Sequence, residues 1–237
     1  MGKNLIQQRK GKGGSVFRSP GWKYKAEAKY SSYSQNNVGT IVDLVKCPAH
    51  TAPLAKIRYE DGNIVYMIAS EGIKVGDIVN TSVAGPINNG NVLQLSTIPE
   101  GTLVFNIESQ PGDGGKFVRA AGTFARIVGK YNDKVSIQLP SKKIKEFHAT
   151  CRATIGTVAG HGRLEKPMLK AGNAFRAARA RNKYYPIVRA LAMNAVCHPF
   201  GGSRSSKKNK SSIIPRFAPP GRKVGLLSPR RVGRTKR

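Results

Sequence analysis

Three small groups of residues carry chemistry that could make a reaction or a metal site. Cys197 stands beside His198, the pair that a thiolate nucleophile and its base require. Such a site needs both side chains aimed at one point and a third group to orient the ring. Adjacent residues in a proline-interrupted loop seldom do that, and Glu165 is the one carboxylate between residues 151 and 237, so no catalytic residues are expected. Cys47-x-x-His50 and His148-x-x-Cys151 have the spacing of a Cys2His2 zinc site. Pro48 and the long gap between the pairs weaken it, because structural zinc sites usually show two tight knuckles, and each pair falls at the edge of a different predicted barrel. Neither a metal nor a cofactor is expected. Pro111-Gly112-Asp113-Gly114-Gly115-Lys116 looks slightly like a phosphate loop, but it lacks the Walker spacing and no helix is predicted after it. Its expected asset is bare backbone N–H groups beside Lys116 and Arg119, suited to close approach of a sugar–phosphate chain; a plain turn is the alternative.

The remaining candidates are cationic or flat. Asn173–Asn182 is a predicted helix with Asn173 as its N-cap. Arg176, Arg179 and Lys183 fall at i, i+3 and i+7 on one face, Arg181 lies elsewhere, and Phe175 is the one large apolar residue. Such a helix gains little by docking on protein, whereas aligned cations pair with phosphates through charge-assisted, often bidentate bonds. The stretch 184–203 is apolar but broken by Pro186, Pro199 and Gly201-Gly202, which predicts an ordered irregular loop. Tyr184, Tyr185, Met193, His198 and Phe200 there offer surfaces that pack against unstacked bases.

The elements that must hold these residues are mostly short strands. Val38–Val45, Leu54–Glu60, Asn63–Ala69, Ile78–Val79 with Thr81–Ala84, and Val92–Leu95 are β-branched or alternate apolar with polar, and Asp61-Gly62 is a hairpin signal. Five such strands fit an OB-type barrel. Leu103–Ile107, Gly122–Tyr131, Lys134–Leu139, Lys142–His148 and Arg152–Val158, with turns at Asn132-Asp133 and Pro140-Ser141, fit an SH3-like barrel. A single sandwich across 37–160 has the same strand spacing. The expected class is therefore mainly β, an OB-type barrel followed by an SH3-like barrel, with long basic extended N- and C-terminal arms. The expected division is 1–36 basic extension, 37–98 OB-type barrel, 99–160 SH3-like barrel, and 161–237 basic extension with a short helix and loops.

Charge supports that division. Of 237 residues, 41 are Lys or Arg and 12 are Asp or Glu. Residues 1–36 hold 8 basic and 1 acidic, 37–150 hold 12 and 10, and 151–237 hold 21 and 1. A nearly neutral centre can fold without self-repulsion; the ends cannot fold alone and mark a polyanion partner. Without that partner, proteolysis is expected to trim residues before about 36 and after about 200. The longest apolar run, Ile64–Ala69, is far short of the about 20 residues a membrane helix needs. No secretory signal is read in Met1–Gly14, no amphipathic membrane-surface helix is found, and three scattered cysteines make no disulfide framework, which suits a reducing cytoplasm.

The strings PGDGGKFVRAAG (111–122), CRATIGTVAG (151–160), KPMLKAGN (166–173), RALAMNAVCHPFGG (189–202) and APPGRKVG (218–225) occur in this order. Through them the chain resembles the universal large-subunit ribosomal protein L-two family, in its archaeal form, from Arg9 to Arg234. The resemblance implies the same two barrels, direct binding of large-subunit (23S-type) rRNA, and support for subunit association, tRNA binding and assembly of the peptidyl transferase centre. It implies that the loop with Met193, Asn194, His198, Gly201 and Gly202 approaches that centre. The bacterial form usually has a second His where this chain has Phe200, and Cys197 stands where Asp or Asn is common. Phosphate contacts are expected at Lys10, Lys12, Arg18, Lys23, Lys116, Arg119, Arg176, Arg179, Arg181, Arg189, Arg222, Lys223, Arg230 and Arg231. Expected partners are the rRNA and neighbouring large-subunit proteins, with small-subunit components at an intersubunit bridge left open; no membrane and no small-molecule substrate are expected. The expected location is cytoplasmic, in the large subunit. Two competing readings are a free chromatin or single-strand-binding protein using the OB-type barrel, and a cysteine- or zinc-dependent hydrolase.

Overall fold

The computed structural model describes residues 2–31, 37–202 and 212–229. The chain divides into two compact units, Gly21–Leu169 and Met1–Pro20 with Lys170–Arg237.

The first holds ten strands: β1 Asn37–Val45, β2 Leu54–Tyr59, β3 Ile64–Ile68, β4 Ile78–Thr81, β5 Val92–Gln94, β6 Leu103–Phe105, β7 Ala125–Tyr131, β8 Lys134–Gln138, β9 Ile144–His148 and β10 Arg152–Ile155. The fold is mainly β, with an OB-type half in β1–β5 followed by an SH3-like half in β6–β10. One sheet runs through both, in the order β3-β2-β1-β4-β5-β10-β6-β7-β8-β9. The hairpins follow from local chemistry. Gly62 takes φ 76° between β2 and β3, and Asn132 takes φ 47° where Tyr131 pairs with Lys134. β7 alternates buried and exposed from Ala125 to Gly129, so one face meets the core. β10 is buried at all four positions, because it pairs with β5 on one side and β6 on the other.

The period of two along β5 sends neighbouring residues into different cores. Val92 packs with Ile41, Ile57 and Tyr59, while Leu93 and Leu95 pack with Ile127, Ile137 and Phe147. Residues 21–31, from the segment expected as a basic extension, also contribute here: Ala28 packs with Leu54 and Phe105, and Tyr30 packs with Ile57 and Tyr59.

The second unit contains α1 Ile6–Gly11, α2 Ala171–Ala180, and two short parallel strands, β11 Ile213–Ile214 and β12 Leu226–Leu227. Leu5, Ile214, Ala218 and Val224 form its small core, with Phe200 against them. Two details of the expected helix are corrected. Asn173 is not the N-cap: Lys170 holds that position without a side-chain bond, and Asn173 lies inside the helix. Lys183 is not on the helical face, because Asn182 at φ 50° stops the helix. The Lys183 N–H then bonds back to the Ala178 carbonyl at 2.9 Å. Among the described residues no helix is long and apolar enough to cross a membrane.

Candidate nucleic-acid interface

α2 buries none of its residues, and Arg176 and Arg179 stand exposed on it. Arg181 is half-buried at its C-terminal cap. The two tyrosines after the helix are engaged within the protein on one side. Tyr185 lies 6.5 Å from Phe175 between ring centroids, and Tyr184 lies 5.9 Å from Phe17. Arg189, Arg222 and Lys223 are exposed, as are Lys10, Lys12 and Arg18. The Arg18 Nε donates to the Gly13 carbonyl at 2.7 Å. Lys23 places its ammonium 4.7 Å from the ring centre of Trp22, which is 83% exposed. Arg230 and Arg231 lie outside the described residues.

The loop 193–202 folds back on itself. The Asn194 carbonyl accepts the N–H groups of Cys197 and His198, the His198 carbonyl accepts that of Gly201, and the Met193 carbonyl accepts that of Gly202. Gly201 is buried, and a Cβ there would run into the Asn194 carbonyl; Gly202 has φ 93°. These glycines close the loop, while Asn194 is exposed and Met193 and His198 are half-buried. His198 Nδ1 accepts the Phe200 N–H at 3.1 Å. That bond puts the proton of the neutral ring on Nε2, making its second nitrogen a donor.

The Pro111–Lys116 loop corrects an expectation. Its backbone N–H groups are not bare. Asp113 donates to the Gln110 carbonyl, Gly114 to Glu108 Oε1 at 3.2 Å, Gly115 to Asp113 Oδ1 at 3.2 Å, and Lys116 to the Ile107 carbonyl. Gly114 and Gly115 are buried. What the loop presents is Lys116, exposed and paired with Asp113 at 3.2 Å. Burial works against the Asp113 carboxylate, but the N–H groups of Gly115, Gln110 and Ser109 and the Lys116 ammonium outweigh it and hold its pKa below the ordinary range. Arg119 spends two donors inside the protein, on the carbonyls of Gly115 at 2.9 Å and Ala28 at 2.7 Å.

The sequence reading missed the residue that organises this region. Glu108, 0% exposed, accepts the Gly114 N–H, the Arg152 backbone N–H at 2.8 Å, and Arg152 Nε and Nη2 at 3.1 and 2.8 Å. Arg152 Nη1 donates to the Ser31 carbonyl, and its guanidinium lies 5.2 Å from the Tyr30 ring centre. The Tyr30 hydroxyl donates to the Asn106 carbonyl at 2.6 Å and lies 2.7 Å from Thr154 Oγ1. One signal could have pointed there: a lone carboxylate directly after the apolar strand Leu103–Ile107 needs a buried cation.

The two cysteine–histidine pairs supply no metal cage. Cys47 packs with Ala28, Leu54 and Phe105, and Cys151 packs with Leu93, Ile127 and Phe147. Among the described residues no three His, Cys, Asp or Glu side chains gather closely enough to hold an ion. Burial, with Glu108 adding to it, pushes the Cys151 thiol up to about 11. Burial and the Arg119 cation lower the His50 pKa, and His50 Nδ1 is buried without a partner.

The arrangement offers many exposed cations with few carboxylates to pair them, which suits phosphates. Comparison with known proteins supplies the context. A family described as "Ribosomal Proteins L2, RNA binding N-terminal domain" matches residues 2–81, and one described as "Ribosomal Proteins L2, C-terminal domain" matches residues 88–217. The chain is 48% identical to the large ribosomal subunit protein uL2 of Thermofilum pendens over 242 residues, covering 100% of this chain and 97% of that relative. It is 48% identical to the protein of the same name from Methanocaldococcus jannaschii over 239 residues, covering 98% and 99%. With that of Methanopyrus kandleri it shares 44% over 239 residues, covering 99% and 98%.

Proposed function

The chain belongs to the ribosomal protein L2 family, and from that premise we propose that it is a structural constituent of the large ribosomal subunit that binds large-subunit rRNA directly. It is not an enzyme. On this reading it works in the cytoplasm, inside the subunit, and supports subunit association, tRNA binding and assembly of the peptidyl transferase centre. The observation that carries the reading is α2: a helix with no buried residue and with Arg176 and Arg179 exposed, in a chain with 41 basic and 12 acidic residues.

Each unit has a role in this account. The strand-rich unit is a compact body with Lys23 and Lys116 at its surface; Arg119 acts mainly within it. The other unit supplies Lys10, Lys12, Arg18, Arg176, Arg179, Arg181, Arg189, Arg222 and Lys223 to the phosphates, and Arg230 and Arg231 extend the same chemistry. Asn194 and His198 are the polar side chains of the 193–202 loop assigned to RNA on this reading, held by the closure at Gly201 and Gly202. Every phosphate neutralised releases condensed counterion, so affinity falls steeply with salt. Neighbouring large-subunit proteins, and small-subunit components at a bridge, are further partners on this reading.

Sucrose-gradient sedimentation tests it. The protein is expected to stay with large subunits through a moderate-salt wash. Release as free protein, or cofractionation with DNA, would instead support the chromatin reading.

A further inference from the structure

Within the unit formed by Met1–Pro20 and Lys170–Arg237 there is a cleft of about 940 Å³. Phe17 and Tyr184 form one part of its wall, tilted 33° to each other, and Met193 adds a polarisable side chain. Lys3, Arg9 and Lys12 supply three cations to the lining, and no described Asp or Glu lines it. Asn4 and Asn194 also line it, and an asparagine amide carries both donors and an acceptor. The two walls are tied together. The Lys3 N–H donates to the Val196 carbonyl at 2.8 Å, and Asn182 Nδ2 donates to the carbonyls of Ser15 and Arg18 at 2.6 and 2.7 Å.

These features ask for a ligand with three properties at once: a flat apolar face, a hydrogen-bonding edge and a negative charge. A bare phosphate would make no use of the aromatic wall, and an uncharged apolar molecule would make no use of the three exposed cations beside it. The volume lies within the range of pockets that enclose a small organic group, about 300–1,000 Å³. Amides read base edges, aromatic faces take unstacked bases, and Lys or Arg takes the phosphate. We infer that this cleft holds one unpaired nucleotide of the rRNA, its base against Phe17 and Tyr184 and its phosphate toward Arg9 and Lys12. The inference rests on the ribosomal reading above and adds a site to it. Walls already bonded to each other reduce the ordering cost of capture.

Ultraviolet crosslinking on intact large subunits, followed by mass mapping, tests the site. A crosslink from the segments 15–18 or 184–197 to one unpaired nucleotide supports it. Crosslinks confined to other segments overturn it. The Phe17→Leu/Tyr184→Leu double variant keeps apolar bulk but removes the stacking faces. It is expected to sediment with large subunits while the chemical reactivity of that nucleotide rises at least about fivefold. A second variant, Arg9→Gln/Lys12→Gln, changes only exposed side chains and is expected to raise reactivity at the same nucleotide. Unchanged reactivity in both variants overturns the site and leaves the ribosomal reading standing. Failure of the unaltered protein to sediment with large subunits overturns that reading itself, and the site with it.

Discussion

Glu108 is a fully buried carboxylate, and what makes that tolerable is that every one of its contacts is a donor: two backbone N–H groups and two nitrogens of Arg152. Removing the cation alone would leave the charge without its counterpart in the core. Arg152→Met is therefore expected to destabilise the RNA-free protein by about 3–5 kcal/mol, read as a lower denaturant midpoint. Replacing both partners together should cost less than Arg152→Met alone. The cysteines give a second residue-level test. With its pKa raised to about 11, Cys151 stays a thiol at pH 8. Alkylation of the folded chain should therefore reach half-buried Cys197 before Cys151, as mass mapping would show. His50 gives a third. Folding lowers its pKa, so the unfolded chain binds the proton more tightly. Its contribution is present above the ordinary histidine pKa of about 6.5, and is lost as pH falls below that value and through the lowered pKa of the folded chain. His50→Gln should flatten the pH dependence of stability in that window. The Glu108–Arg152 pairing was not legible in the sequence. Glu108 and Arg152 are 44 positions apart, and only the pairing of β10 brings them together.

At the scale of elements, strands were easier to read than ends. All ten strands of the sheet lie within or beside stretches whose residue types favour β structure, because β-branched runs and turn dipeptides act locally. The helix was legible from its Ala and Arg content, but it begins at Ala171 rather than after Asn173. No residue at its start makes a capping bond, so nothing there marks a boundary. The Pro111–Lys116 loop misled for the opposite reason. Its glycines suggested open backbone, but Glu108 and Asp113 take up the N–H groups. α2 also carries the clearest binding prediction. Arg176→Gln and Arg179→Gln should each weaken rRNA binding modestly and lower the slope of log affinity against log salt by about one. Binding measured across a salt series checks this. In the 193–202 loop, Gly201→Ala would drive a methyl group into the Asn194 carbonyl. It should perturb rRNA protection near His198 while leaving the melting of the strand-rich unit unchanged.

At the scale of the whole molecule, the uneven charge was the most legible property of all and pointed to a polyanion before any element was placed. The sequence could not show where the folded body starts. Tyr30 and Ala28 are buried in the strand-rich unit, although the charge count alone puts them in a basic arm. Limited proteolysis without RNA should therefore leave a fragment that retains residues 24–31, rather than one trimmed to about residue 36. The seam at β10 has a last consequence, for the order in which the chain is made. Residues 92–94 are synthesised long before residues 152–155, yet β5 and β6 find their shared neighbour only when those later residues arrive. A nascent chain stopped before residue 152 would hold its early half with an unsealed sheet edge, open to chance pairing with other polypeptides. Until residues 152–155 emerge, the seam between β5 and β6 stays unpaired, so the late strand closes the sheet that the earlier strands leave open.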